Sequence, residues 1–144
     1  MPTTGADLTG GCLCGAVRYR LASAPFDAGW CHCRICQLNS GSPAMAFASV
    51  TEGDYVIERG IGRVGTVKSS DFGHRGFCRD CGTPLYMRVD HQPETVDFSL
   101  ATLDDPATVT PGFHIFYASR IAWAEPGDTL PRHDRFRPHT RGLS

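Results

Sequence analysis

The residues of this chain best equipped for chemistry are its thiols. They fall into three groups: Cys12 and Cys14, then Cys31, Cys33 and Cys36, then Cys78 and Cys81. A thiolate is both a nucleophile and a soft metal ligand, suited to zinc. A CxC pair on extended backbone points both sulfurs to one face about 7 Å apart, and bending of the chain brings them onto one metal. CxxC followed by glycine, as in Cys78–Gly82, makes a tight turn. Its glycine permits a positive φ, which lets backbone N–H groups turn toward the thiolates. The run Cys12–Gly15 ends on the same glycine.

Two ligand sets use these pieces well. Cys12, Cys14, Cys78 and Cys81 make a closed tetrahedral site and leave Cys31, Cys33 and Cys36 as a three-thiolate cluster. Alternatively, Cys33, Cys36, Cys78 and Cys81 make a paired CxxC ribbon and leave Cys12, Cys14 and Cys31 over. Spacing alone slightly favours the ribbon, because paired CxxC turns are the commoner structural site. The choice matters for function. Four thiolates close zinc off, whereas three leave a position where a substrate binds.

The rest of the chain must position these groups. Its 144 residues fit one domain with a real core. The net charge of −1 argues against a nucleic-acid protein held by phosphate contacts. Of 14 basic residues only Lys68 is lysine, and arginine's planar fork suits carboxylates and phosphates. The first ten residues have neither a basic start nor an apolar run, and no stretch approaches the roughly 20 apolar residues of a membrane span. The expectation is a cytoplasmic protein with reduced thiols and no membrane partner. The odd count of seven cysteines agrees with metal ligation rather than disulfides.

Apolar and polar residues alternate over 15–21, with Val17, Tyr19 and Leu21 on one face and Arg18 and Arg20 on the other, which predicts a strand. Further strands are expected over 43–50, 54–60, 63–70, 83–90, 95–103 and 112–123, joined by turns in a run of hairpins. Helix is expected only as a turn or two after Cys36 and another after Pro106. These patterns predict a mainly β, loop-rich domain over 1–126. The arginine- and proline-rich segment 127–144 reads as an extended tail that packs over the domain or frays.

Five stretches carry a family resemblance: GGCLCGAVRY, CHCRICQLNSG, FCRDCGTPL, ATLDDP and PGFHIFYASRIAW. Together, and in this order, they resemble the glutathione-dependent formaldehyde-activating enzyme family, also called the centromere protein V family. The resemblance runs from about Gly10 to Trp123. It implies an Mss4-like fold, mainly β, with short antiparallel strands and zinc knuckles. It implies a structural zinc on Cys12, Cys14, Cys78 and Cys81, and a second, more labile zinc on Cys31, Cys33 and Cys36 with a catalytic role. The implied activity is that of a carbon–sulfur lyase, forming or cleaving S-hydroxymethyl adducts of a small thiol such as glutathione with formaldehyde or a related aldehyde.

Substrate-binding candidates follow. Ser40 and Gly41 lie in a tight turn whose N–H groups could face an anion. His114 belongs to the His-Ile pair that the resemblance includes. Arg120 could hold a carboxylate bidentately, or pair with Asp104 or Asp105. His32, between two ligands on extended backbone, points away from the metal and reads as packed. Gln37 departs from the family, whose members often carry a basic residue after the third cysteine. The competing class is a non-enzymatic zinc module of the same fold, an interaction or chaperone-like protein.

Overall fold

The computed structural model describes residues 8–137. The chain forms two sheets. The smaller joins β1 (Thr9–Gly11), β2 (Arg18–Leu21) and β5 (Tyr55–Arg59), all antiparallel and in that order. The larger has seven strands. In spatial order they are β10 (His114–Ile115), β3 (Phe26–Cys31), β4 (Met45–Thr51), β9 (Thr95–Ser99), β8 (Pro84–Val89), β7 (Gly73–Cys78) and β6 (Val64–Lys68). Neighbours are antiparallel except β10, which runs parallel to β3. The expected mainly β architecture is the one the chain adopts.

One face of the large sheet makes the main core. Ala48, Val50, Val96 and Phe98 pack against Tyr19, Leu21 and Tyr55 of the small sheet. Tyr19 stacks on Tyr55 with ring centroids 4.5 Å apart, and its hydroxyl bonds the Thr102 hydroxyl at 2.7 Å. A buried phenol keeps a partner for its polar tip, and this one does. The opposite face follows from the two-residue period of a strand. Ser49 opposes Asp97, Asp97 opposes Met87 and Met87 opposes Arg75, so these four form one row across β4, β9, β8 and β7. Cys31, Met45 and Phe47 share that face two and four residues along β4 from Ser49.

Several expected elements take a different form. The strand foreseen over 112–123 shrinks to His114–Ile115 and gives way to 3-10 turns at Tyr117–Ser119 and Ala122–Ala124. The cause is Phe116, whose φ of 52° lies in the left-handed region and turns the chain out of the sheet. The strand foreseen over 95–103 ends at Ser99 and continues as a 3-10 turn over Leu100–Thr102. Strands β1, β3 and β7 were not foreseen; TGG, FDAGWC and GHRGFC are glycine-rich or carry ligands, and show no clean alternation. Helix α1 (Arg34–Ser40) lies where a turn or two was expected, and Pro106–Thr108 forms the second foreseen turn.

Residues 131–135 of the tail pack beside β10. The N–H of His114 donates to the Pro131 carbonyl at 2.8 Å, that of His133 to His114 at 2.9 Å, and that of Phe116 to Arg135 at 3.0 Å. Residues 1–7 of the expected domain and 138–144 of the tail lie outside the described residues.

Gly60 joins β5 to the 3-10 turn before β6 with φ at 84°, and a Cβ there would sit 2.0 Å from the Ala16 carbonyl oxygen. Gly41 also has a positive φ, 68°, but open space around it. Gly41→Ala is therefore expected to cost only the left-handed penalty, about 1–2 kcal/mol. Gly60→Ala should cost clearly more, because a backbone clash adds to it. Urea denaturation of the two variants measures the difference; equal losses would contradict this packing.

Candidate functional site

Four thiols meet where the two sheets join. Cys12 and Cys14 sit in the turn between β1 and β2; Cys78 ends β7 and Cys81 lies in the turn before β8. Their sulfurs all lie within 4.8 Å of one another, with Cys12 to Cys14 at 3.6 Å and Cys14 to Cys78 at 3.8 Å. Tetrahedral zinc with Zn–S near 2.3 Å requires edges of about 3.8 Å, so the donor set fits the metal. Gly15 and Gly82 close the two knuckles with φ of 80° and 82°. The Val17 N–H donates to the Cys12 sulfur at 3.3 Å, and the Thr83 hydroxyl lies 3.3 Å from that of Cys81. Hydrogen bonds from the Thr83 hydroxyl and N–H bring the Cys81 thiol down to about 5. Among the described residues the thiols that gather are thus Cys12, Cys14, Cys78 and Cys81, not the CxxC ribbon that spacing favoured.

The remaining thiols form a second cluster. Cys31 ends β3, Cys33 caps α1 and Cys36 lies in its first turn, with all three sulfurs within 4.8 Å of one another. The Cys36 N–H donates to the Cys33 sulfur at 3.3 Å, so a thiol of the cluster also caps the helix. Hydrogen bonds from the Cys31 and Cys36 thiols, with that N–H, bring Cys33 down to about 2, and the same contacts push Cys31 up. Arg75 is buried beside them. Its guanidinium donates to the Cys36 sulfur at 3.4 Å and approaches the Met45 sulfur at 3.9 Å. A fixed cation next to three thiols offsets the extra negative charge they carry around a divalent metal.

This cluster opens on a cavity of about 400 Å³. The row Ser49, Asp97, Met87 and Arg75 forms its floor, while Ile35, Phe72, Phe113, Phe116 and Phe136 stand around it. Asp97 lies deep in this space, open to the cavity, and accepts the Ser49 hydroxyl at 2.5 Å. Burial pushes its pKa up to about 6, against the Ser49 bond and the charge of Arg75.

The other expected site residues lie elsewhere. The Ser40 hydroxyl donates to the Cys36 carbonyl at 2.7 Å, and the Gly41 N–H donates to the Gln37 carbonyl at 2.8 Å. Both groups finish α1, so no N–H of Gly41 is left to face an anion. Arg120 is exposed over the Tyr117 ring, 4.4 Å from its centroid, and donates to the Tyr117 carbonyl. It pairs with neither aspartate foreseen; Asp104 takes the forked contact of Arg18 instead.

His114 sits behind the cluster. Its Nδ1 is 2.8 Å from His32 Nε2, and its Nε2 is 3.1 Å from both oxygens of Asp128. With Asp128 accepting from His114, the proton between the rings belongs to His32 Nε2. Burial holds the pKa of His32 down, in keeping with its expected packed role. Gln37 is buried and donates to the carbonyls of His32 and Ser119, which ties the ligand loop to the turn after β10.

Arg75 and Asp97 are the residues that sequence reasoning missed. Asp97 and Ser99 alternate with Val96 and Phe98, so the signal was present, but a polar strand side reads as solvent-facing. Arg75 stands three residues before Cys78 on a strand whose pattern was too broken to foresee.

A family model described as glutathione-dependent formaldehyde-activating enzyme matches residues 7–119. The chain is 40% identical over 78 residues to an uncharacterised lyase of Schizosaccharomyces pombe, covering 54% of this chain and 55% of that protein. It thus spans about half the length of that relative. It is 26% identical over 125 residues to a Halomonas elongata protein named as a candidate glutathione-dependent formaldehyde-activating enzyme, covering 82% of this chain and 80% of that one. A crystal structure of a Rhodobacter sphaeroides protein shares the fold, with a TM-score of 0.59 at 23% identity over 86% of this chain and 98% of that one. No described helix is long and apolar enough to cross a membrane.

Two outcomes are expected from this geometry. Cys78→Ser should leave the chain unfolded or insoluble, because a closed metal site contributes on the order of 10 kcal/mol in small domains. Cys36→Ser should stay folded and lose only the metal at the three-thiol cluster. Circular dichroism with metal analysis separates them, and a folded Cys78→Ser chain of unchanged melting temperature would refute the first. Asp97→Asn tests the buried acid. Between pH 4 and 6 the unfolded Asp97 ionises while the native one stays protonated, so wild-type stability falls as pH rises through this window. The variant should therefore gain on the wild type between pH 4 and pH 7, by on the order of 2 kcal/mol. A pH-independent difference in urea midpoints would count against a raised Asp97.

Proposed function

This chain belongs to the glutathione-dependent formaldehyde-activating enzyme family, and from that premise we propose a carbon–sulfur lyase that forms or cleaves hydroxyalkyl thioethers. Its partners are a small thiol, glutathione being the one in the family's name, and formaldehyde or a related aldehyde. The observation that carries this reading is the contrast between the two clusters. Four thiols make a complete tetrahedral donor set at the seam of the sheets, while Cys31, Cys33 and Cys36 are one donor short and line a cavity large enough for a small molecule. A closed second cluster and a broad apolar patch would have favoured the interaction module instead.

Cys12, Cys14, Cys78 and Cys81 would hold a structural zinc, and Cys31, Cys33 and Cys36 a second one. That second zinc, when bound, supplies a position at which a thiol gives up its proton near neutral pH. The protein's own residues set the stage for the rest. Arg75 and the Cys36 N–H fix the sulfurs of Cys36 and Cys33. The cavity walls exclude water and hold thiol and aldehyde together, which supplies the proximity advantage. The thiol sulfur attacks the carbonyl carbon, forming the C–S bond. The π pair of the C=O moves to oxygen, which takes up the proton the thiol released. Cleavage runs the same changes in reverse, so atoms balance between thiol plus aldehyde and the hydroxyalkyl adduct.

Exchange spectroscopy of formaldehyde with glutathione and with 2-mercaptoethanol tests this reading against a protein-free control. The wild type is expected to speed exchange with at least one thiol, and Cys33→Ser to fall back to the buffer rate. Equal rates in wild type, variant and buffer for both thiols would overturn the proposal.

A further inference from the structure

The cavity that receives the three-thiol cluster has a wall chemistry of its own. Apart from Met1, both methionines of the chain, Met45 and Met87, line it, and so do Phe47, Phe72, Phe113, Phe116 and Phe136. Methionine and phenylalanine are concentrated where an apolar guest is gripped adaptably, through polarisable sulfur and ring edges. The charged groups inside are few, and those of the floor are engaged, the Arg75 Nε aside. Arg75 is buried with its guanidinium against the sulfurs of Cys36 and Met45. Asp97 is occupied by the Ser49 hydroxyl. Asp27 is paired with Arg137, and Arg135 stands exposed at the rim.

Glutathione brings two carboxylates and an ammonium. Burying an ion without a partner costs several kcal/mol on the usual scale, roughly the whole binding energy of a small ligand. Seated with its sulfur at Cys31, Cys33 and Cys36, the tripeptide would run along β4 toward Ser49. Cys31 opposes Met45, and Ser49 is four residues farther on, about 13 Å at strand rise. The far end is therefore Asp97, an acid, which suits the ammonium but offers neither carboxylate a partner. Gln37, at the position where a basic residue is common in the family, spends its amide on two backbone carbonyls.

We propose that the thiol this cavity selects is apolar: an uncharged aryl or branched alkyl thiol, with its hydroxyalkyl adduct, in preference to glutathione. The inference rests on the thiol–aldehyde reading above and narrows it to a substrate class. The sulfur lies at the three cysteines, the body lies along Met45, Phe47 and Met87, and no charged group is required of it.

The test uses the full chain with cobalt in place of zinc, so that a thiol reaching the cluster changes the cobalt–thiolate absorption without any turnover. Phenylmethanethiol and glutathione are titrated separately, with calorimetry on the zinc protein in parallel. Phenylmethanethiol is expected to bind at least about tenfold tighter, as burial of a phenyl ring implies. Met87→Ala should weaken it about fivefold, since the lost wall is apolar. Glutathione binding as tightly as phenylmethanethiol, with the same spectral change, would overturn the apolar selection and leave the thiol–aldehyde reading standing. If neither thiol alters the cobalt spectrum, both readings fall.

Discussion

The four-thiol knuckle is the constraint on which the rest of the structure depends. It joins the turn after β1 to the turn after β7, across the intervening residues 15–77. The small sheet has three short strands, and its thiols gather with those of the large sheet at the seam between them. Everything in the main core follows from that apposition: the Tyr19–Tyr55 stack, Leu21, and Val50 and Phe98 facing them. The knuckle also fixes one end of β7. That strand carries Cys78 for the closed cluster and, three residues earlier, Arg75 for the open one. The two clusters are thus set relative to each other by one short strand rather than by a flexible loop.

The large sheet works on both faces. One face is ordinary packing, with small and branched residues against aromatic rings. The other is unusual in carrying a charged and polar row, Ser49, Asp97 and Arg75, beneath aromatic walls rather than under water. Burial of such a row requires partners, and each has one: the Ser49 hydroxyl for Asp97, and the sulfurs of Cys36 and Met45 for Arg75. Within this row the Arg75 Nε is left without one. A cavity floored in this way stays open because its floor cannot collapse into an apolar core.

The thiols and their glycines were legible in the sequence because their chemistry is local: a knuckle needs a sulfur, a turn and a residue that tolerates positive φ, all within five positions. The alternating strands β2, β4, β8 and β9 were legible for the same reason, since period two is a short-range signal. The pocket was not. Its walls come from α1, the β6–β7 turn and residues 113–136, and only the fold brings these together. His114 illustrates the difference. Its place in the chain beside the cluster was readable, but the direction of its ring is set by Asp128, fourteen residues on, so it braces the cluster from behind. Arg120 follows the turn that Phe116 starts and is carried to the surface. The strand over 112–123 was misjudged for that same turn, which no alternation of side chains announces.

The C-terminal segment has no cysteine and, among the described residues, no part in the main core, yet Arg135 and Phe136 help to enclose the cavity and Asp128 anchors the histidine pair. The three-thiol cluster and part of the enclosure of its cavity are therefore encoded in separate parts of the chain. Drift in the last residues can re-tailor the clientele of the pocket while the knuckles, the sheets and the sulfur chemistry stay under their own selection. Descendants of one such scaffold can share a reaction and differ in diet.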